Sequence, residues 1–96
     1  MLTSKQRAYL RKLANNMDAI MQIGKQGAAE EVCRALDEAL EARELVKVSV
    51  LNNCEAEPKE IAEQLSKKTR SECVRLIGKK IVFYRKSRNK DIDVLN

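Results

Sequence analysis

The chain has 96 residues, of which 44% are hydrophobic, 34% charged and 3% aromatic, and its net charge is +5. This length suits one small domain, and the apolar fraction is too high for a disordered chain. Because the chain contains no histidine, histidine-dependent catalytic triads and zinc sites are excluded.

The first predicted helix spans residues 4–15, with Thr3 and Gln6 as a capping box at its start. One side of this helix is apolar, while the remaining arc carries four basic residues, Lys5, Arg7, Arg11 and Lys12. Residues 19–23 then predict a short buried strand, which Gly24 ends.

Residues 28–42 have the clearest helical period, in which an apolar stripe is opposed by acidic residues such as Glu38. A strand follows at residues 45–51, with valines on one face and Lys47 and Ser49 on the other. Pro58 suits the first turn of a third helix, because its missing N–H costs nothing there.

A hairpin is predicted from residues 73–77 and 80–84, because glycine at the first position of the Gly78-Lys79 turn signals type II′. Strand alternation sends the neighbours Phe83 and Tyr84 to opposite faces. Residues 87–96 are polar and predict a flexible C-terminal tail, so the domain itself covers residues 1–86.

The predicted order is therefore α-β-α-β-α-β-β. Two β-α-β crossovers should place their helices on one face of the sheet, and the hairpin adds an antiparallel strand. These elements predict an α/β fold class, more narrowly an α+β two-layer arrangement with a four-stranded mixed sheet.

Charge is distributed unevenly along the chain. Residues 1–25 carry +4, residues 26–66 carry −6 and residues 67–96 carry +7. A folded chain with basic ends can present a one-sided positive field, which attracts polyanions such as nucleic acid. The alternative is a generic solvated surface.

The residues that could carry chemistry are few. The chain has an odd number of cysteines, and they lie far apart in the sequence: Cys33, Cys54 and Cys73. We therefore expect neither a disulfide framework nor a metal site. A reducing, cytoplasmic compartment fits this cysteine content best. No cluster of residues predicts catalysis. We expect no enzyme, catalytic residue, cofactor, small-molecule substrate, signal peptide or membrane contact.

The segment Gly24-Lys25-Gln26-Gly27 lies between a predicted strand end and a helix start. Helix N-terminal N–H groups favour an anion, and glycine lets a phosphate approach the backbone. A KH-type G-x-x-G loop clamps a nucleic-acid backbone in this way. The alternative is that the two glycines have only structural roles, Gly24 ending the strand and Gly27 allowing the turn into the helix.

The basic chain ends could converge on this loop. With so few aromatic residues, phosphate contact is favoured over base stacking on the sheet. The candidate RNA-binding residues are Gly24, Lys25, Gln26, Gly27, Lys5, Arg7, Arg11, Lys12, Lys79, Lys80, Arg85, Lys86 and Arg88.

Four segments in this order resemble the CRM domain family (chloroplast RNA splicing and ribosome maturation) in its stand-alone bacterial YhbY-type form. They are residues 2–7, 23–27, 44–48 and 77–85. The resemblance implies a fold similar to the C-terminal domain of bacterial translation initiation factor three. It also implies RNA binding through the loop and nearby basic residues, a role in large ribosomal subunit assembly, and no catalysis.

The chain departs from the family at Ala29, where a hydroxyl residue able to cap the helix is often found. Loss of that cap costs about 1 kcal/mol. Either more N–H groups are then free for phosphate, or the loop is looser.

The favoured interpretation is a monomeric, non-catalytic RNA-binding protein that acts on ribosomal RNA in precursor large subunits. The alternative is a protein-interaction module that docks a basic partner on its acidic second helix.

Overall fold

The structure, a computed structural model, describes residues 2–95; Met1 and Asn96, at the outer limits of the predicted domain and tail, lie outside the described residues. Its helices are α1 (Ser4–Ala14), α2 (Glu30–Arg43) and α3 (Pro58–Thr69). Its strands are β1 (Met21–Ile23), β2 (Leu45–Val50), β3 (Glu72–Ile77) and β4 (Lys80–Tyr84). The predicted element order is confirmed.

The strands form one mixed sheet in the order β1-β2-β4-β3. β1 lies parallel to β2, and β4 is antiparallel to both β2 and β3. The two crossovers, through α2 and α3, therefore join parallel strands. This arrangement confirms the α+β class and the predicted four-stranded mixed sheet.

Helices cover both faces of the sheet. α2 and α3 pack on one face through a buried cluster that includes Leu36, Ile61 and Phe83. α1 packs on the opposite face through a second cluster that includes Leu10 and Tyr84. The expected placement of α2 and α3 on one face is confirmed, and α1 adds a partial third layer to the predicted two.

Two local predictions are met at the ends of elements. Thr3 Oγ1 accepts a hydrogen bond from Gln6 N at 3.1 Å, and Gln6 Oε1 accepts one from Thr3 N at 2.9 Å, which completes the capping box of α1. Gly78 has φ +55°, whereas Lys79 does not have positive φ. A type II′ turn requires positive φ at its first central residue and not at its second. Glycine adopts positive φ without the steric cost of a side chain.

Glu44 attaches the segment after β4 to the domain. Its side chain is fully buried, and its carboxylate accepts hydrogen bonds from Ser87 N at 2.6 Å and Val94 N at 2.8 Å. Val94 and Leu95 pack against the buried cluster on the α1 face. Residues 87–95 contain no helix or strand but contact the domain; their predicted flexibility stays a prediction.

Candidate nucleic-acid interface

Three turns meet at the end of the sheet where β1 and β2 finish and β4 begins, which we call the loop end. Leu51 N donates to Ile23 O at 2.8 Å, and Val50 N donates to Lys79 O at 2.7 Å. These bonds hold the turn after β2 between the loop after β1 and the hairpin turn. The loop end is therefore a composite surface built from three separate parts of the chain.

The Gly24–Gly27 loop is tightly folded at the loop end. Gly27 is buried with φ +61°, and its N–H donates to Gly24 O at 3.0 Å. Asn53 lies against the other glycine, since a Cβ placed on Gly24 would be 3.3 Å from Asn53 Oδ1. Lys25 and Gln26 are exposed. The turn thus buries its backbone at Gly27 and leaves a cation in solvent.

The N-terminus of α2 follows the loop without a side-chain cap. Ala29 is the N-cap residue and makes no side-chain hydrogen bond, as the sequence predicts. The first N–H groups of a helix have no partner within it, so those at the start of α2 remain available to an anion. Glu30 and Glu31 in the first turn oppose an anion here. One of them, Glu30, is paired with Arg34 at 3.5 Å.

The structure brings Lys79 and Lys80 to the loop end with the glycine loop. The Lys79 ammonium donates to Asn52 Oδ1 in the turn after β2. The Lys80 ammonium donates to Ser49 Oγ at 3.2 Å, and both lysines are exposed. Neither bond neutralises the lysine charge, so both remain able to attract phosphate.

The basic residues of α1 are spread along the sheet. Arg7 pairs with Glu72 at 2.6 Å, at the start of β3. Arg11 Nε donates to Val74 O at 3.2 Å. Because α1 runs from the start of β3 towards the middle of the sheet, its second half, with Arg11 and Lys12, lies nearer the loop end than Lys5 and Arg7.

Arg85, Lys86 and Arg88 lie at the opposite end of the sheet from the loop. β4 carries the chain about 13 Å away from Lys80 before Arg85 is reached. Arg85 contacts Asp37 and donates to Thr69 O at 2.8 Å, and Arg88 N donates to Glu41 Oε2 at 3.0 Å. The hypothesis that both basic chain ends converge on the loop is corrected by this placement.

Lys86 also belongs to the charge network at that far end. Its ammonium lies 3.2 Å from Asp93 and 3.6 Å from Glu44. Burial alone would lower the pKa of Lys86, but the hydrogen bond and charge of Asp93, with the charge of Glu44, outweigh that effect and raise it. The acidic side of α2 is therefore partly occupied by the chain's own cations.

Three basic residues near the loop or on the sheet were not among the RNA-binding residues predicted from the sequence. Lys68 Nζ donates to Ala28 O at 3.1 Å, beside the glycine loop, and Lys47 Nζ donates to Ala14 O at 3.0 Å and Met17 O at 3.1 Å. Arg75 is the third. Lys47 had a signal in the sequence, because strand alternation places it opposite the valines of β2.

A bulge in β3 determines the position of Arg75. Cys73 pairs with Phe83, whereas Arg75 pairs with Val82, so the register shifts between them. Simple alternation would put Arg75 on the same face as Cys73. The extra residue instead turns Arg75 to the face covered by α1, a change of direction typical of bulges.

Cys73 is partly buried and packs against the core cluster on the face covered by α2 and α3. Burial raises the pKa of the Cys73 thiol, which is therefore protonated at neutral pH. Among residues 2–95, no group of three His, Cys, Asp or Glu side chains is placed to hold a metal ion. In that same part of the chain, none of the three helices is long and apolar enough to cross a membrane.

The sequence profile of the CRS1/YhbY (CRM) domain matches residues 2–85. The chain is 47% identical over 95 residues to a Bacillus subtilis protein named "Probable RNA-binding protein YqeI", with 98% of this chain and 99% of that one covered. It is 29% identical over 93 residues to a Haemophilus influenzae protein named "RNA-binding protein", with 97% and 94% covered.

A solved structure has the same fold. The solution structure of SAV1595 from Staphylococcus aureus superposes with a TM-score of 0.79 at 54% sequence identity, covering 97% of this chain and 98% of that one. The superposition thus spans nearly the whole length of both chains.

Proposed function

Because the chain belongs to the CRS1/YhbY (CRM) domain family, we propose that it is a non-catalytic RNA-binding protein that grips the phosphate backbone at the loop end. The observation that carries the proposal is the uncapped N-terminus of α2 directly after the glycine loop. Lys25 lies in that loop, Lys68 donates to Ala28 O just before the helix, and Lys79 adds a further positive charge at the loop end. The names of the relatives support RNA as the ligand.

The exposure of the aromatic residues favours phosphate over bases as the main contact. Phe83 is 0% and Tyr84 8% exposed, and they pack in clusters on opposite faces of the sheet. Tyr9, on α1, is 44% exposed. The sheet therefore has no aromatic platform on which successive bases could stack, as they do on an RRM.

We further propose that the RNA is ribosomal RNA in precursors of the large subunit, and that the protein acts in the cytoplasm as a monomer. The support is the resemblance to the stand-alone bacterial members of the family. Phosphate contacts carry little sequence information, so the shape of a folded RNA would provide most of the selectivity.

Substitution of Lys25 by Glu tests the loop. We expect Lys25→Glu to weaken binding to a labelled large-subunit ribosomal RNA fragment about ten-fold or more, because it replaces a phosphate-attracting charge by a repelling one. Wild-type affinity should fall steeply with salt, and the variant should show a shallower log–log slope. Fluorescence anisotropy at several salt concentrations measures both quantities.

Two control variants separate this proposal from its rival. Lys90→Glu makes the same charge change in the exposed segment after β4 and should change affinity far less. Glu38→Lys alters the acidic side of α2 and should leave RNA binding intact or slightly tighter. Equal RNA binding by Lys25→Glu and wild type would remove the loop from the interface.

The ribosomal part of the proposal needs a test in cells. Crosslinking of the protein to RNA, followed by sequencing of the attached fragments, should enrich precursor large-subunit ribosomal RNA. Enrichment of messenger RNA instead would overturn the assembly role while leaving RNA binding in place.

A further inference from the structure

α1 covers only part of its face of the sheet, and the uncovered part borders the loop end. Gln22, Ser49, Lys80 and Ile77 form one row across the four strands there. A second row, which borders α1, contains Lys47, Val82 and Arg75, and of these Val82 is buried against α1. We call these seven residues the open half-sheet.

A recess lies where the open half-sheet meets the end of α1. Its volume is about 120 Å³. Ile77, which is 53% exposed, supplies apolar surface, whereas Ala14 and Val82 line the recess but are each only 2% exposed. Asn15 adds an amide. The charged lining residues are Lys47, Arg75 and Lys80.

The positive charge of this recess is not cancelled by its surroundings. Lys47 and Lys80 donate to neutral partners, namely the carbonyl groups at the end of α1 and the hydroxyl of Ser49. Within residues 2–95, the Arg75 guanidinium makes no ion pair, and none of the residues lining the recess is acidic. Clefts lined by one sign of charge concentrate ions of the opposite sign.

We propose that the open half-sheet is a second RNA-contact site, which takes one nucleotide of an unpaired strand whose neighbouring phosphates reach the loop end. The proposal rests on the proposed RNA-binding function. It adds a second RNA-contact surface, separate from the glycine loop.

The chemistry of the recess fits a nucleotide unit better than a phosphate alone. The three cations suit a backbone phosphate, and the aliphatic surface suits a ribose or the face of a base. In a paired RNA helix the bases are stacked inside and cannot reach such a surface. Contact between the face of a base and the apolar part of the recess therefore requires an unpaired strand.

The sheet connects this site to the loop. Gln22 directly precedes Ile23 and Gly24, and it pairs with Ser49, which binds Lys80. A strand of RNA held at the loop end can thus continue onto the open half-sheet.

Arg75→Gln and Lys80→Gln test the site, because neither side chain is buried in a core cluster. Lys47 is avoided, since its ammonium also caps the end of α1. The probes are labelled oligouridylate and the same strand annealed to oligoadenylate, with affinity measured by anisotropy. We expect each variant to bind the single strand about five-fold more weakly and to lower the salt slope by about one.

The control Lys90→Gln removes one charge from an exposed site away from the recess and should bind as wild type does. Circular dichroism confirms that each variant is folded. Oligouridylate carrying 4-thiouridine should crosslink to the peptide that contains β3 and β4, and Arg75→Gln should reduce that crosslink.

The outcomes separate the two proposals. If wild type binds neither these probes nor ribosomal RNA, the proposed function fails. If wild type binds RNA but Arg75→Gln and Lys80→Gln match Lys90→Gln, the open half-sheet is not a contact site. If Arg75→Gln and Lys80→Gln weaken binding to the duplex as much as binding to the single strand, the assignment to an unpaired nucleotide is overturned. The same follows if wild type binds ribosomal RNA but not the single strand.

Discussion

Gly27 is the residue on which the conformation of the loop depends. Its φ of +61° lies in the left-handed region, where a side chain costs about 1–2 kcal/mol. Space is not the obstacle, because a Cβ there would contact Ile61 Cδ1 at an ordinary 3.4 Å. The requirement for glycine is thus a requirement of the backbone.

The two loop glycines should respond differently to alanine. Gly27→Ala should lower the free energy of unfolding by about 1 kcal/mol. Gly24→Ala should be nearly neutral, because its new Cβ would meet the tip of the Asn53 side chain at 3.3 Å and Leu51 Cδ1 at an ordinary 3.6 Å. Urea denaturation measures both. Equal losses would show that crowding, and not the backbone angle, fixes the turn.

At the scale of elements, α2 shows the main conflict of the site. Its N-terminus lacks a side-chain cap, and Glu30 and Glu31 compete with any anion for the start of the helix. α1, in contrast, has a complete capping box. The helix that begins away from the glycine loop thus has a side-chain cap, whereas α2, like α3, has none.

Ala29→Ser tests what the missing cap is for. A serine hydroxyl would accept a hydrogen bond from an N–H in the first turn and stabilise the protein by about 1 kcal/mol in urea denaturation. The same bond occupies a donor that we assign to phosphate, so RNA affinity should fall about two- to five-fold.

Thr3→Ala is the matched control for the cap experiment. It removes the cap of α1 and should destabilise the protein by about 1 kcal/mol with little change in RNA affinity. If Ala29→Ser stabilises the protein and RNA binding is unchanged or tighter, the free N–H groups of α2 do not hold phosphate.

At the scale of the whole molecule, the charges are sorted to the two ends of the sheet. The loop end carries cations with neutral partners, whereas the far end joins Arg85 and Lys86 to Asp37, Glu41 and Glu44. The ion pairs at the far end therefore stabilise the fold. The positive charges at the loop end remain able to attract an anionic ligand. This division strengthens the RNA-binding proposal relative to docking on the acidic side of α2.

Alkaline pH should destabilise the protein. Burial raises the pKa of Cys73, burial and the charge of Glu44 raise that of Tyr84, and contacts with Asp93 and Glu44 raise that of Lys86. Groups with raised pKa values in the folded state contribute stability that is complete below their ordinary pKa and is lost as pH rises through the raised value.

The urea midpoint, measured under reducing conditions, should therefore decline as pH rises above about 9, near the ordinary pKa of a thiol. The double variant Cys73→Ala/Tyr84→Phe removes two of the three groups and should show a smaller decline. An identical decline in the double variant would exclude both groups as its cause.

The amino-acid pattern alone was enough to predict the order of the elements, the capping box, the hairpin turn, the missing cap at Ala29 and the opposite faces of Phe83 and Tyr84. Each depends on residues within a few positions of one another, where periodicity, turn chemistry and capping act directly. The grouping of the basic residues depended on tertiary structure, because β4 separates Lys80 from Arg85 and α2 supplies the acids that bind Arg85. The bulge in β3 likewise turned Arg75 towards the open half-sheet. A register shift arises from pairing with another strand, which local spacing cannot specify.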